Sequence, residues 1–109
     1  MVSLEQVIAS KFKELKKTLS VAESCTGGSI CSRIVSNEGA STYFKGGVVC
    51  YSTESKTNIL GLDAKTINDY SVVSKEVCEL MAISVKISLT QIFLYLQQGM
   101  LAQKRANQM

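Results

Sequence analysis

The chain has 109 residues, 46% of them hydrophobic, with 12 basic and nine acidic side chains, a net charge of +3 and no histidine. That length suits one small domain, which buries only about two-thirds of its unfolded surface and so depends on every strand it has. Without imidazole, a Ser-His-Asp or Cys-His catalytic arrangement and any His-ligated metal site are excluded, and a nucleophile here needs a lysine, a carboxylate or a tyrosine as its base.

Other classes recede on local pattern. Lys11, Lys13, Lys16 and Lys17 alternate with Phe12, Leu15 and Leu19 at helical spacing, the pattern of a solvated helix face rather than a nucleic-acid patch. Glu5 and Lys11 interrupt any apolar start, so no signal peptide is expected, and the cytoplasm is the expected location. The most apolar run, residues 87–96, is about half of what a bilayer crossing requires. Cys25, Cys31, Cys50 and Cys78 form no C-x-x-C pair and read as reduced thiols, not as a disulfide framework or a zinc site.

In chain order, Ser3 and Gln6 form a capping box for a helix whose apolar positions run from Leu4 to Leu19, about four turns. Residues 18–23 (TLSVAE) read as a strand. After Gly27 and Gly28, Ile30, Ile34 and Val35 mark a second helix that ends near Ser36. Residues 46–52 (GGVVCYS) read as a second strand, so continuously apolar that burial on both faces is expected. Residues 53–60 (TESKTNIL) form a third helix, with Thr53 as cap and Gly61 as its stop. Residues 63–73 read as a connecting segment with about one helical turn. Ser74 then caps a helix whose stripe is Val77, Leu80, Met81 and Val85. This order predicts an α/β layer arrangement, although two strands make a poor sheet by themselves.

The stretch VAESCTGG (residues 21–28) carries the chemistry. A strand ending at Glu23 puts Ser24 at the carboxyl edge, where α/β sheets hold ligands, and Gly27 and Gly28 open backbone amides to an anion. Three readings stand: a nucleophile's turn, a phosphate cradle, or glycines that merely allow close helix–sheet packing. Tyr51 and Lys56, at the end of the second strand and in the helix after it, would share a crevice with Ser24 if the strands are neighbours. Burial favours the neutral form of an amine, which can act as base toward a serine hydroxyl.

VAESCTGG, YFKGGVVCYSTESKTNILGL and SVVSKEVCELMA together resemble the C-terminal domain of the CinA (competence/damage-inducible) family, also known as a free-standing nicotinamide-mononucleotide amidase. The resemblance covers residues 4–86. It implies a three-layer α/β/α domain that hydrolyses the carboxamide of nicotinamide mononucleotide to nicotinic acid mononucleotide and ammonia by a Ser–Lys mechanism. Ser24 is then the nucleophile, Lys56 its base and Tyr51 an assisting hydrogen-bond donor or proton relay. Glu23, Thr26, Gly27 and Gly28 shape the substrate pocket and its anion contacts. Cys25 competes with Ser24, but neighbouring side chains point apart at such a turn and the family pattern favours the serine. The resemblance implies no metal or cofactor. The expected partner is a small pyridine mononucleotide, with no nucleic acid and no membrane, and the exposed sheet edge suggests a homo-oligomer.

After Lys86 the resemblance stops. The family continues with a buried strand and a T-G-x-A-G-P loop, whereas residues 87–109 read ISLTQIFLYLQQGMLAQKRANQM. Reading their codons one nucleotide earlier, with only third bases chosen freely, permits N-K-F-N-T-D-F-S-L-L-T-T-G-N-A-G-P-K-K-G-E-S-D, which restores both features. Residues 1–86 are thus expected to be the N-terminal part of a C-terminally incomplete amidase domain, and 87–109 an aberrant, frameshifted tail. Losing several large buried side chains, at about 1.5–3 kcal/mol each, rivals a domain's whole stability margin of roughly 5–15 kcal/mol, so a marginal fold with impaired activity is expected. The alternatives are a non-catalytic nucleotide-binding or interaction module and an inert gene fragment.

Overall fold

A computed structural model describes residues 1–95, with side chains as far as Leu89. Two parallel strands, β1 (Leu19–Glu23) and β2 (Phe44–Val49), lie between two layers of helices. On one face sit α1 (Leu4–Leu15) and α2 (Ser29–Val35). On the other sit α3 (Thr53–Leu60), α4 (Ala64–Tyr70) and α5 (Lys75–Tyr95). This is the expected three-layer α/β/α arrangement.

The side-chain period of two assigns each residue of β1 to a layer. Leu19 and Val21 face α1 and α2, joining Phe12 and Phe44 around buried Ala9, Ile34, Ala40 and Tyr43. Ala22 faces the other way, with Val48 and Leu89, onto Cys50, Leu60, Leu62, Ile67, Val77, Met81 and Val85. In β2 the register slips between Leu19 and Ser20, whose partners are Phe44 and Gly46. The extra residue, Lys45, moves Phe44 and Val48 to opposite faces. At the carboxyl edge the same alternation sends Glu23 toward α2 and leaves Ser24 on the α3 side.

Several boundaries differ from expectation. The first helix stops at Leu15 because Lys16 turns left-handed (φ 55°), and Leu19 opens β1 instead of closing α1. Its lysines 11, 13, 16 and 17 are exposed, as the helical spacing requires. The second strand ends at Val49, leaving Tyr51 and Ser52 outside it, and Val49 is itself exposed, so β2 is not buried on both faces. Ser52, not Thr53, caps α3 through a reciprocal pair with Ser55, while Gly61 ends that helix as read. The segment taken as a connector contains α4, capped by Asp63 and anchored by buried Ile67. Ser74 accepts from the Val77 amide and starts α5 as expected. That helix continues past Lys86 to Tyr95, and Leu89 packs against the core and against Gly46. Residues 96–109, most of the segment read as frameshifted, lie outside the described residues.

Candidate active site

Glu23 is the last residue of β1, and its carboxylate is almost fully buried, 2% exposed. Oε1 accepts from the Thr26 hydroxyl at 2.6 Å and from the amides of Gly28 and Ile30, each at 3.1 Å. Oε2 accepts from the Cys31 amide at 2.8 Å. Such closure requires the tight turn that Gly27 and Gly28 provide, both with positive φ (61° and 104°). Burial by itself raises a carboxyl's pKa, but the bonds from Thr26, Cys31 and Ile30 outweigh it and hold Glu23 at about 2. The anion at this turn is therefore the chain's own side chain. The amides that the glycines were expected to offer a substrate are already taken, and Glu23 lies inside the turn instead of lining a pocket.

Burial and the Glu23 carboxylate push the Cys31 thiol up to about 12, which makes it a protonated, inert neighbour. Cys25 is exposed. The amides of Cys25 and Thr26, immediately after Ser24, make no hydrogen bond among the described residues.

Lys56 lies in the second turn of α3 and is the only lysine with its side chain in the core among the described residues, 1% exposed. Its Nζ donates to Ser24 Oγ at 2.9 Å and to the Cys50 carbonyl at 2.9 Å. Among the described residues no carboxylate stands within ion-pair distance of it. Two backbone features hold this contact. The Cys50 amide donates to the Glu23 carbonyl at 2.8 Å, extending the ladder just past both strand ends. The Ser52–Ser55 cap then starts α3 at the turn that aims Lys56 back at Cys50.

Ser24 and Lys56 thus meet, 32 residues apart in sequence. Tyr51 does not join them: it is 72% exposed and makes no hydrogen bond among the described residues, because β2 ends two residues before it. The sequence reading missed the Cys50 carbonyl, a backbone atom that no residue type advertises. Among the described residues no cluster of His, Cys, Asp or Glu could hold a metal ion.

A buried lysine bonded to a serine after A-E-S-C-T-G-G is the arrangement to set beside known proteins. The sequence profile of the CinA C-terminal domain matches residues 1–92. The chain belongs to that family. The match runs six residues past Lys86, where the motifs stop. A CinA-like protein of Flavobacterium psychrophilum is 50% identical over 84 residues, 77% of this chain and 20% of that protein. A CinA-like protein of Shewanella amazonensis is 41% identical over 97 residues, 89% of this chain and 23% of that protein. The crystal structure of a competence or damage-inducible protein from Enterobacter asburiae superposes with a TM-score of 0.75 at 30% identity, covering 84% of this chain and 58% of that one. The chain spans about a fifth of the length of the curated relatives it matches, and no described helix is long and apolar enough to cross a membrane.

Proposed function

We propose that the chain carries the nucleophile and base of an amidase that hydrolyses the carboxamide of nicotinamide mononucleotide to nicotinic acid mononucleotide and ammonia. The observation that carries this reading is the 2.9 Å bond between Lys56 Nζ and Ser24 Oγ in a protein without histidine. Acting as base, Lys56 keeps its bond to the Cys50 carbonyl and receives the Ser24 proton on Nζ, the reverse of the donation seen in the structure. Ser24 Oγ then attacks the carboxamide carbon. The free amides of Cys25 and Thr26 follow the nucleophile directly, the position from which backbone donors stabilise a tetrahedral oxyanion. Collapse of that intermediate expels ammonia, which takes the proton held by Lys56. Water, deprotonated by the same amine, releases the acid and regenerates Ser24. Tyr51 lies exposed, outside the Ser24–Lys56 contact, and the steps above route no proton through it.

The rival reading, a nucleotide-binding module using the Gly27–Gly28 turn as a phosphate cradle, is disfavoured by Glu23, which occupies the amides such a cradle needs. The proposed setting is cytoplasmic and homo-oligomeric, with a small-molecule substrate. We also propose that residues 1–86 begin one amidase domain and that the codons after Lys86 are read out of frame. Gene sequence around codon 86 with third bases that forbid the shifted peptide ends that proposal.

Ammonia release from nicotinamide mononucleotide, measured for the chain and for its Ser24→Ala variant, tests the function. Release that disappears in the variant supports it, and undiminished release by Ser24→Ala refutes it. The same assay on a frame-restored version separates a wrong reaction from a chain impaired by its tail.

A further inference from the structure

Glu23 touches neither member of the Ser24–Lys56 pair through its side chain, yet it is bonded to the supports of both. Its carboxylate gathers four donors from residues 26–31, so the turn that begins with Ser24 is closed onto one buried group. Its carbonyl accepts the amide of Cys50, the residue whose own carbonyl fixes Lys56 Nζ. One residue therefore links the nucleophile's turn, through its side chain, to the base's anchor, through its backbone. All four side-chain partners are donors, so only an ionised carboxylate satisfies them. A glutamine of the same shape would turn its NH2 toward at least one N–H and open the turn.

We propose that Glu23 is a positioning residue, whose buried carboxylate fastens the 24–31 turn so that Ser24 and Lys56 stay in hydrogen-bond contact. This rests on the amidase reading, and it departs from the role the family resemblance implies, since a residue inside the turn acts on the rate and not on substrate affinity. Thr26 serves the same end through its hydroxyl, exposed on one side and bonded to Glu23 Oε1 on the other.

The test uses Glu23→Gln, Thr26→Ala and Thr26→Ser in the full chain. Three quantities are read: kcat and KM for ammonia release from nicotinamide mononucleotide, the rate at which a fluorophosphonate labels Ser24, and the folded fraction by circular dichroism. A misplacement of about 1 Å lowers rates about 100-fold, so Glu23→Gln should lose about that much in kcat and in labelling rate, with KM nearly unchanged. Thr26→Ala should show a smaller loss of the same kind, and Thr26→Ser should restore it. A raised KM with kcat preserved means that Glu23 meets substrate and overturns the proposal. So does a folded Glu23→Gln chain that labels at the parent rate. If Glu23→Gln fails to fold, Thr26→Ala decides, and an unchanged labelling rate there overturns it. Labelling of the parent with no ammonia release from the parent or from its frame-restored version would defeat the amidase reading alone, leaving the relative labelling rates to judge Glu23. A Ser24 never labelled in either version overturns both.

Discussion

Gly47 of β2 faces α2, and a methyl group there would lie 2.3 Å from Cys31 Sγ and 3.1 Å from the Val21 carbonyl oxygen. Gly47→Ala therefore forces a movement of more than an ångström at the Cys31 thiol, whose backbone amide is bonded to Glu23. Either the Cys31 side chain rotates away, or α2 lifts from the sheet. Overpacking of this kind costs about 1–3 kcal/mol. The smaller conformational freedom of alanine in the unfolded chain returns about 0.4–1 kcal/mol, leaving a net loss of about 1–2 kcal/mol. Urea unfolding followed by circular dichroism reads this directly: with a slope of about 1 kcal/mol per molar, the midpoint falls by roughly 1–2 M. Adding Cys31→Ala removes the Sγ atom, after which the closest neighbours are the Val21 oxygen at 3.1 Å and Phe44 Cζ at 3.5 Å. The double variant should recover at least half of the lost stability. A Gly47→Ala midpoint equal to the parent's, or a double variant no better than the sum of its parts, refutes the reasoning.

Two further predictions concern the same layers. Val77 is buried at 1% exposure whereas Val73 is 88% exposed, so Val77→Ala should destabilise by about 2 kcal/mol and Val73→Ala by less than about 0.5 kcal/mol, read from urea midpoints. Glu23 has a folded-state pKa of about 2 against an ordinary value of 4.5. Its contribution to stability is therefore complete above pH 4.5 and is lost as pH falls through 2. Across that window the parent should lose more stability than Glu23→Gln, and parallel pH profiles would contradict the assignment.

Much of this architecture was legible because local signals agreed with one another. The Ser3–Gln6 box, the Gly61 stop and the Ser74 cap all sit where the sequence reading put them. Meeting of Ser24 with Lys56 was legible from the strand-end positions, together with a specific motif. Tyr51 was placed in the strand because the run GGVVCYS looks like unbroken strand, while the ladder actually ends at Val49 and Cys50 turns its carbonyl to a side chain. Val49 was expected to be buried for the same reason. The α4 helix escaped notice because a single residue, Ile67, supplies its fully buried contact with the core. The closure of the turn onto Glu23 was not legible because three of its four partners are backbone amides, which carry no signature of their own. An acid five residues before a glycine-led helix start could have signalled a carboxylate folded back onto that start.

Ammonia release by Lys56→Met, with folding verified by circular dichroism, measures most directly whether the buried amine activates Ser24. Methionine retains the bulk of the lysine stem and removes the nitrogen that bonds Ser24 Oγ. General-base catalysis is worth about 100- to 10,000-fold, or about 3–5 kcal/mol of barrier, and a kcat loss of that size is expected in the folded variant. A folded Lys56→Met chain that keeps kcat within about tenfold of the parent would contradict it.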